Sequence, residues 1–178
     1  MEYRPSYADP DVWMRPGIKS NGFEYWEYVL CYVDDVLSMS DNPLRTMKQI
    51  QSKFKLKDDK IEEPTNYLGA DLRKLVNEDG DECWAMSSEK YCTVAVSNVE
   101  AVLKKKGLRL PSKCTSPLSS GYRPEMDVTT ELKEDGVRWY QELIGQLRWA
   151  IEIGRVDILL EVSLLSQHLA LPCEGHLE

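Results

Sequence analysis

The chain has 178 residues, of which 42% are hydrophobic and 29% charged, and its net charge at pH 7 is −8. That length can bury a sizeable core in a single domain, and no run approaches the ~18–20 apolar residues of a membrane span. The acidic total argues against an isolated nucleic-acid-binding domain, which needs a basic surface to neutralise phosphates.

The opening "MEYRPSYADPDVW" has neither the basic region nor the apolar core of a signal peptide, so an intracellular protein is expected, in cytoplasm or nucleus. Residues 1–10 are polar, carry two prolines and read as a lead-in without a packed role. "DVWM" reads as a short strand, "RPGIKSNG" as turn residues, and "FEYWEYVLCYV" as a strand rich in aromatic and β-branched side chains. "VLSMS" repeats the strand signal, which makes a β-hairpin whose two-residue loop is at or very near Asp34-Asp35.

A helix is predicted over "SDNPLRTMKQIQSKF", capped by Asp41 or Asn42 with Pro43 in its first turn, and with Leu44, Met47, Ile50 and Phe54 on one face. "TNYLGADLRKLV" and "CWAMS" read as the strands of a second hairpin turned by Asp79-Gly80. Ser87 or Ser88 then caps a helix whose basic end suits the negative pole of its dipole and whose Gly107 suits a C-cap. Residues 108–131, with three prolines and little periodicity, read as a linker. Helices are predicted over 137–153, with Tyr140, Leu143, Ile144, Leu147 and Ile151 as a buried stripe, and over 156–170, apolar enough to be buried on more than one side. The plan is α+β with a helical appendage.

The five cysteines (Cys31, Cys83, Cys92, Cys114 and Cys173) include no C-x-x-C pair, and the only histidines are His168 and His176. Reduced thiols are expected, not a zinc site. Trp139 and Trp149 fall on the apolar stripe, where packing explains them better than base stacking; Trp13 and Trp26 fall on strands, where either face is open. Arg155 and Asp157 read as a structural ion pair at a helix start.

Adjacent aspartates at a turn are ordinarily solvated. Here "LCYV" precedes Asp34 and "VL" follows Asp35, and two like charges among apolar neighbours repel unless a cation neutralises them. Magnesium takes few carboxylate oxygens and leaves positions for phosphate. Because successive strand residues face opposite ways, Asp34 is favoured as the closer ligand.

"YVDD" with its surroundings resembles the palm signature of reverse transcriptases, in particular those of copia-type LTR retrotransposon polyproteins. The resemblance takes in "ADPDVW", "NGFEYWEYVLCYVDDVL", "KFKLKDD", "TNYLGADL", "SSEKYCTVAV" and "YQELIGQLRWAIEIGRVDILLEVSLLSQHLALP", nearly all of residues 8–178. It implies an incomplete polymerase palm of antiparallel hairpins with a packed helix (11–86), a thumb helix (87–107), the linker (108–131) and a truncated helical connection region (132–178). It makes Asp34 and Asp35 the catalytic ligands of Mg2+, or of Mn2+, and sets Tyr32 and Val33 beside the primer end and nucleotide. By the same resemblance Tyr67, Leu68 and Gly69 lead into the primer grip. Lys55, Lys57 or Lys60 lies near the triphosphate or else on a solvated strand edge, and Lys104, Lys105 and Lys106 track the nucleic-acid backbone.

The implied partners are an RNA/DNA primer-template, a deoxynucleotide and the remainder of the polyprotein. The family's other essential aspartate precedes its YVDD on a separate strand, and neither Asp9 or Asp11 nor Asp127 is expected to replace it. The expected function is therefore a reverse-transcriptase fragment, inactive alone. The competing readings are a non-catalytic nucleic-acid-binding remnant and an unstable fragment without independent function.

Overall fold

The computed structural model describes residues 1–56 and 60–177 and divides into two units, Met1–Leu68 and Gly69–Glu178. Strands and helices are mixed, and the strand pairs are antiparallel.

The first unit is built on a sheet of order β1-β2-β3-β4: Arg4–Pro5, Val12–Ile18, Glu24–Tyr32 and Asp35–Met39. Its first strand corrects the reading of residues 1–10 as an unpacked lead-in, since Arg4 and Pro5 pair with Met14 and Trp13. Tyr3 reaches further in, its hydroxyl donating to Glu27 at 3.1 Å and lying 3.3 Å from the Thr46 hydroxyl. Strand β2 also runs on through Pro16 and Gly17, read from sequence as turn residues. Pro16 is tolerated because β1 ends opposite Met14, leaving that side of β2, among the described residues, without a strand partner that would need its missing N–H. The turn lies instead at Lys19–Phe23, where Gly22 takes φ +84°.

Alternation assigns the side chains of β3. Glu27 and Val29 are buried on the face where α1 (Pro43–Gln51) packs, while Trp26 and Tyr32 on the opposite face are exposed. Asn42 caps α1 by accepting the Arg45 N–H at 3.1 Å, with Pro43 following in the first turn. The buried residues of α1 are Thr46 and Ile50; Leu44 and Phe54, placed on that face from sequence, are exposed.

Glu27 anchors a network the sequence reading did not identify. Its carboxylate accepts from Arg15 Nε at 2.6 Å, Tyr25 Oη at 3.0 Å and Tyr3 Oη, and the Arg15 guanidinium sits 4.5 Å from the centre of the Tyr3 ring. Burial, the largest influence on Glu27, pushes its pKa up, but the Arg15, Tyr25 and Tyr3 hydrogen bonds together hold it below the ordinary carboxylate value.

"TNYLGADLRKLV" is not one strand. It breaks into β5 (Asn66–Tyr67) and β6 (Ala70–Val76) at Leu68 and Gly69, whose φ values are +52° and +86°. Two left-handed residues in succession reverse the chain. In the second unit β6 pairs with β7 (Glu82–Ser87), and α2 (Glu89–Lys105) lies against β6 with no fully buried residue. Ser88 occupies the N-cap position of α2 without a side-chain cap bond. Gly107, at φ +71°, closes the other end, its N–H on Lys104 O while the Leu108 N–H reaches Leu103 O. That pair of bonds is a Schellman motif.

Helix α3 spans Glu134–Glu152, starting earlier than the predicted 137–153, and buries Tyr140, Ile144 and Ala150 while Leu147 stays exposed. The predicted helix 156–170 is a 3-10 turn over Val156–Ile158 followed by α4, Leu159–Ser166. Only Val162 of α4 is buried, so the expected burial on several sides fails at Leu159 and Leu160, both exposed. The Arg155 guanidinium grips Asp157 through two hydrogen bonds of 2.8 and 2.7 Å, forming the expected ion pair.

The stretch 108–131 is not a free linker throughout. From Tyr122 it docks on the C-terminal turn: the Tyr122 hydroxyl is 3.0 Å from Asp127 Oδ2 and 3.1 Å from Gly175 O, and Glu131 bridges Cys173. His176, buried, accepts the Cys173 N–H on Nδ1 at 2.8 Å, so its Nε2 carries the proton donated to Pro124 O at 3.0 Å.

Candidate functional site

The acidic pair sits where β3 reverses into β4, and the loop lies one residue before Asp34-Asp35, very near it as the sequence suggested. Tyr32 pairs with Asp35, so the two-residue loop is Val33-Asp34 and Asp35 is already the first residue of β4. Val33 holds φ +53° and is 93% exposed. Positive φ at the first loop residue alone is the pattern of a type II′ turn, which matches strand twist but favours glycine.

A β-branched residue in that region is strained by roughly 1–2 kcal/mol. Nothing in the packing of so exposed a side chain offsets the strain. Val33→Gly is therefore expected to stabilise the first unit by about 1 kcal/mol, less than the whole strain because glycine is freer when unfolded. Thermal unfolding of the two proteins checks this, and an unchanged or lower midpoint would refute the strain.

Asp34 and Asp35 are both exposed, Asp34 at the tip of the turn and Asp35 across from Tyr32. Further carboxylates gather at the same end of the sheet. Asp11 is adjacent to β2, its carbonyl accepting the Cys31 N–H at 2.9 Å, and Asp9 Oδ1 accepts the Asp11 N–H at 2.9 Å. Tyr67, half-buried in the same unit, registers this charge. Burial raises its phenol pKa most, followed by the electrostatic influence of Cys31 and of the Asp35, Asp11 and Asp9 carboxylates. Thus Tyr67, implied near the primer grip, lies within electrostatic reach of Asp35 and of both upstream aspartates, a convergence that no sequence pattern announces.

The other candidates distribute as follows. Leu68 ends the first unit and Gly69 begins the second. Lys55 and Lys60 are exposed in irregular chain, while Lys57 lies outside the described residues. Lys104 and Lys105 close α2, Lys106 is its C-cap, and all three are exposed. Asp127 belongs to the second unit and is structural: it accepts from the Thr129 N–H at 2.9 Å, from the Thr129 hydroxyl at 2.5 Å and from Tyr122. Among the described residues no group of three or more His, Cys, Asp or Glu side chains is arranged to hold a metal ion. No described helix is long and apolar enough to cross a membrane.

The chain aligns over 154 residues, 85% of its length, with a transposon Ty5-1 protein of Saccharomyces cerevisiae at 29% identity. It also aligns over 154 residues with the retrovirus-related Pol polyprotein from transposon RE1 of Arabidopsis thaliana, at 24% identity. These relatives support a retrotransposon polyprotein origin. The chain spans 45% of the yeast transposon protein and 9% of the Arabidopsis polyprotein. No family model matches, and no solved structure matches.

Proposed function

We propose that this chain is part of a retrotransposon reverse transcriptase, comprising palm, thumb helix and connection elements, and that the β3–β4 turn is its magnesium-binding hairpin. The observation that carries the reading is the strained Val33-Asp34 turn, which presents two adjacent exposed carboxylates at the end of a four-stranded sheet. In the parent reaction a primer 3′-hydroxyl attacks the α-phosphate of a deoxynucleotide and pyrophosphate leaves. Magnesium at Asp34 and Asp35 would neutralise the charge that develops on the phosphoryl oxygens. Lys104, Lys105 and Lys106 would contact the template-primer backbone as point charges, contributing affinity without sequence preference. The competing reading keeps those contacts and dispenses with catalysis.

Two-metal transfer needs carboxylates on both sides of a pair of cations ~3.5–4 Å apart. The described residues of the isolated chain offer no such closed group, so the chain alone is expected to extend no primer on an RNA template in Mg2+ or Mn2+. The test transplants residues 24–40 into the equivalent hairpin of an active copia-type enzyme. Retained primer extension, lost at least about a hundredfold in the Asp34→Asn and Asp35→Asn chimeras, is the expected result. A chimera that binds primer-template with unchanged affinity yet extends nothing would overturn the catalytic assignment and favour the binding-only reading.

A further inference from the structure

Charge is unevenly distributed along the chain. Residues 101–124 contain six lysines and arginines and no aspartate or glutamate, so against a total of −8 the remaining residues carry −14. Lys104, Lys105 and Lys106 end α2, and Arg109, Lys113 and Arg123 follow in chain that forms no helix or strand. All six are exposed. Among the described residues none of the six enters an ion pair, whereas Arg15, Lys74, Arg138 and Arg155 each hold a carboxylate. Cations gathered without counter-charges raise the local potential and attract anions.

The segment is tied down at both ends. The Leu108 N–H on Leu103 O fixes one, and the Tyr122 hydroxyl on Asp127 Oδ2 and Gly175 O fixes the other. Between these anchors, residues 109–118 make no backbone–backbone hydrogen bond among the described residues. Their N–H groups are left for outside acceptors, and backbone N–H groups are, with lysine and arginine, common donors to phosphate oxygens.

We infer that residues 104–123 form a phosphate-binding arm that lies along the backbone of a nucleic-acid duplex without reading its sequence. The arm extends the contact proposed above for Lys104, Lys105 and Lys106 from the helix end into the irregular chain; it rests on that contact and not on the acidic hairpin. A duplex is the partner the chemistry fits, with one negative charge per ~1.7 Å of its axis. No aromatic side chain lies between Ala101 and Gly121, so the bases of a single strand have nothing there to stack on. Leu108 and Leu110 are exposed in irregular chain, without the amphipathic helix that seats a lipid surface. The acidic remainder repels phosphate, so the arm and not the rest of the surface takes the duplex.

The test is fluorescence anisotropy of the full chain with a labelled RNA/DNA duplex of about 20 base pairs over a salt series. Binding is expected to be tighter than to either separate strand, with log K falling against log[salt] at a slope of about −5, ~0.9 for each phosphate neutralised. The triple variant Arg109→Gln, Lys113→Gln, Arg123→Gln should flatten the slope to about −2.5 and weaken binding at least tenfold at ~0.1 M salt. The triple Lys48→Gln, Lys53→Gln, Lys90→Gln removes the same charge from exposed lysines elsewhere and should leave the slope unchanged, both triples unfolding at the wild-type midpoint. Equal losses in the two triples, an unchanged slope in the first, or binding to anionic vesicles as tight as to the duplex would overturn the arm. Lys104→Gln, Lys105→Gln, Lys106→Gln separates it from the earlier reading. Loss there with none in the Arg109 triple removes the arm and keeps the helix contact; the converse keeps the arm and removes that contact. No duplex binding by the wild-type chain would overturn both.

Discussion

Glu27→Ala is expected to cost the first unit about 3 kcal/mol, because removing one partner of a buried pair leaves the other charge uncompensated. The figure sits at the low end of the range for buried pairs since the Arg15 and Glu27 side chains keep 11% and 12% exposure. Arg15 would lose its 2.6 Å contacts, and the Tyr3 and Tyr25 hydroxyls would each lose a carboxylate acceptor in a half-buried setting. Tyr3 also touches Thr46, which is fully buried on α1, so the damage should spread from the sheet to the helix and to the N-terminal strand. Denaturant unfolding of wild type and variant measures the cost, and a loss under about 1 kcal/mol would show the network to be no better than a surface ion pair.

The same carboxylate sets a pH dependence. Its folded-state pKa lies below the ordinary value of 4.5, so its contribution is fully present above that value and disappears as pH falls through the lower folded value. Acid titration of stability should therefore be steeper in wild type than in Glu27→Gln below about pH 4.5. Identical profiles would remove Glu27 as the cause.

Tyr140→Ala is expected to cost the second unit about 3–5 kcal/mol, the range for emptying a large aromatic site. Tyr140 is 1% exposed, and its hydroxyl donates to Leu165 O at 2.7 Å, joining α3 to α4. Burial pushes its phenol up to about 12, so the hydroxyl stays a donor throughout the physiological range. Tyr140→Phe separates the two contributions: it keeps the ring and should cost about 1–2 kcal/mol, the penalty of an unpaired buried carbonyl. Equal losses in the two variants would place the whole effect in the hydrogen bond.

What was legible in the sequence was local. Asn42 and Pro43 announce α1 because a cap and a first-turn proline act within four residues, and Gly107 announces the end of α2 because a left-handed cap needs no distant partner. The acidic hairpin was visible to within one residue. Its exact loop depended on strand register, which is set by the facing strand and not by the loop's own composition.

Long-range pairing stayed hidden. Residues 1–10 look unstructured by composition, yet Tyr3 meets Glu27 and Thr46, which lie 24 and 43 positions away. The aromatic and β-branched content of "FEYWEYVLCYV" placed Glu27 on a strand, but only Arg15 on the neighbouring strand explains a carboxylate in the core. Tyr122 through Glu131 likewise read as linker because its partners, Cys173 to His176, come at the other end of the unit. At the candidate site, the electrostatic influence of Asp9, Asp11 and Asp35 on Tyr67 joins distant parts of the chain and leaves no spacing signature. For α4 the error ran the other way, since apolar content alone does not say which leucines find partners.

The most direct test of the central claim is a Mn2+ titration of the isotope-labelled chain followed by amide relaxation. Paramagnetic broadening confined to Tyr32–Val36 and the Tyr67 region, abolished by Asp35→Asn, is the result expected of a cation-binding hairpin. Broadening spread evenly over the acidic surface, or unchanged in Asp34→Asn and Asp35→Asn, would contradict it.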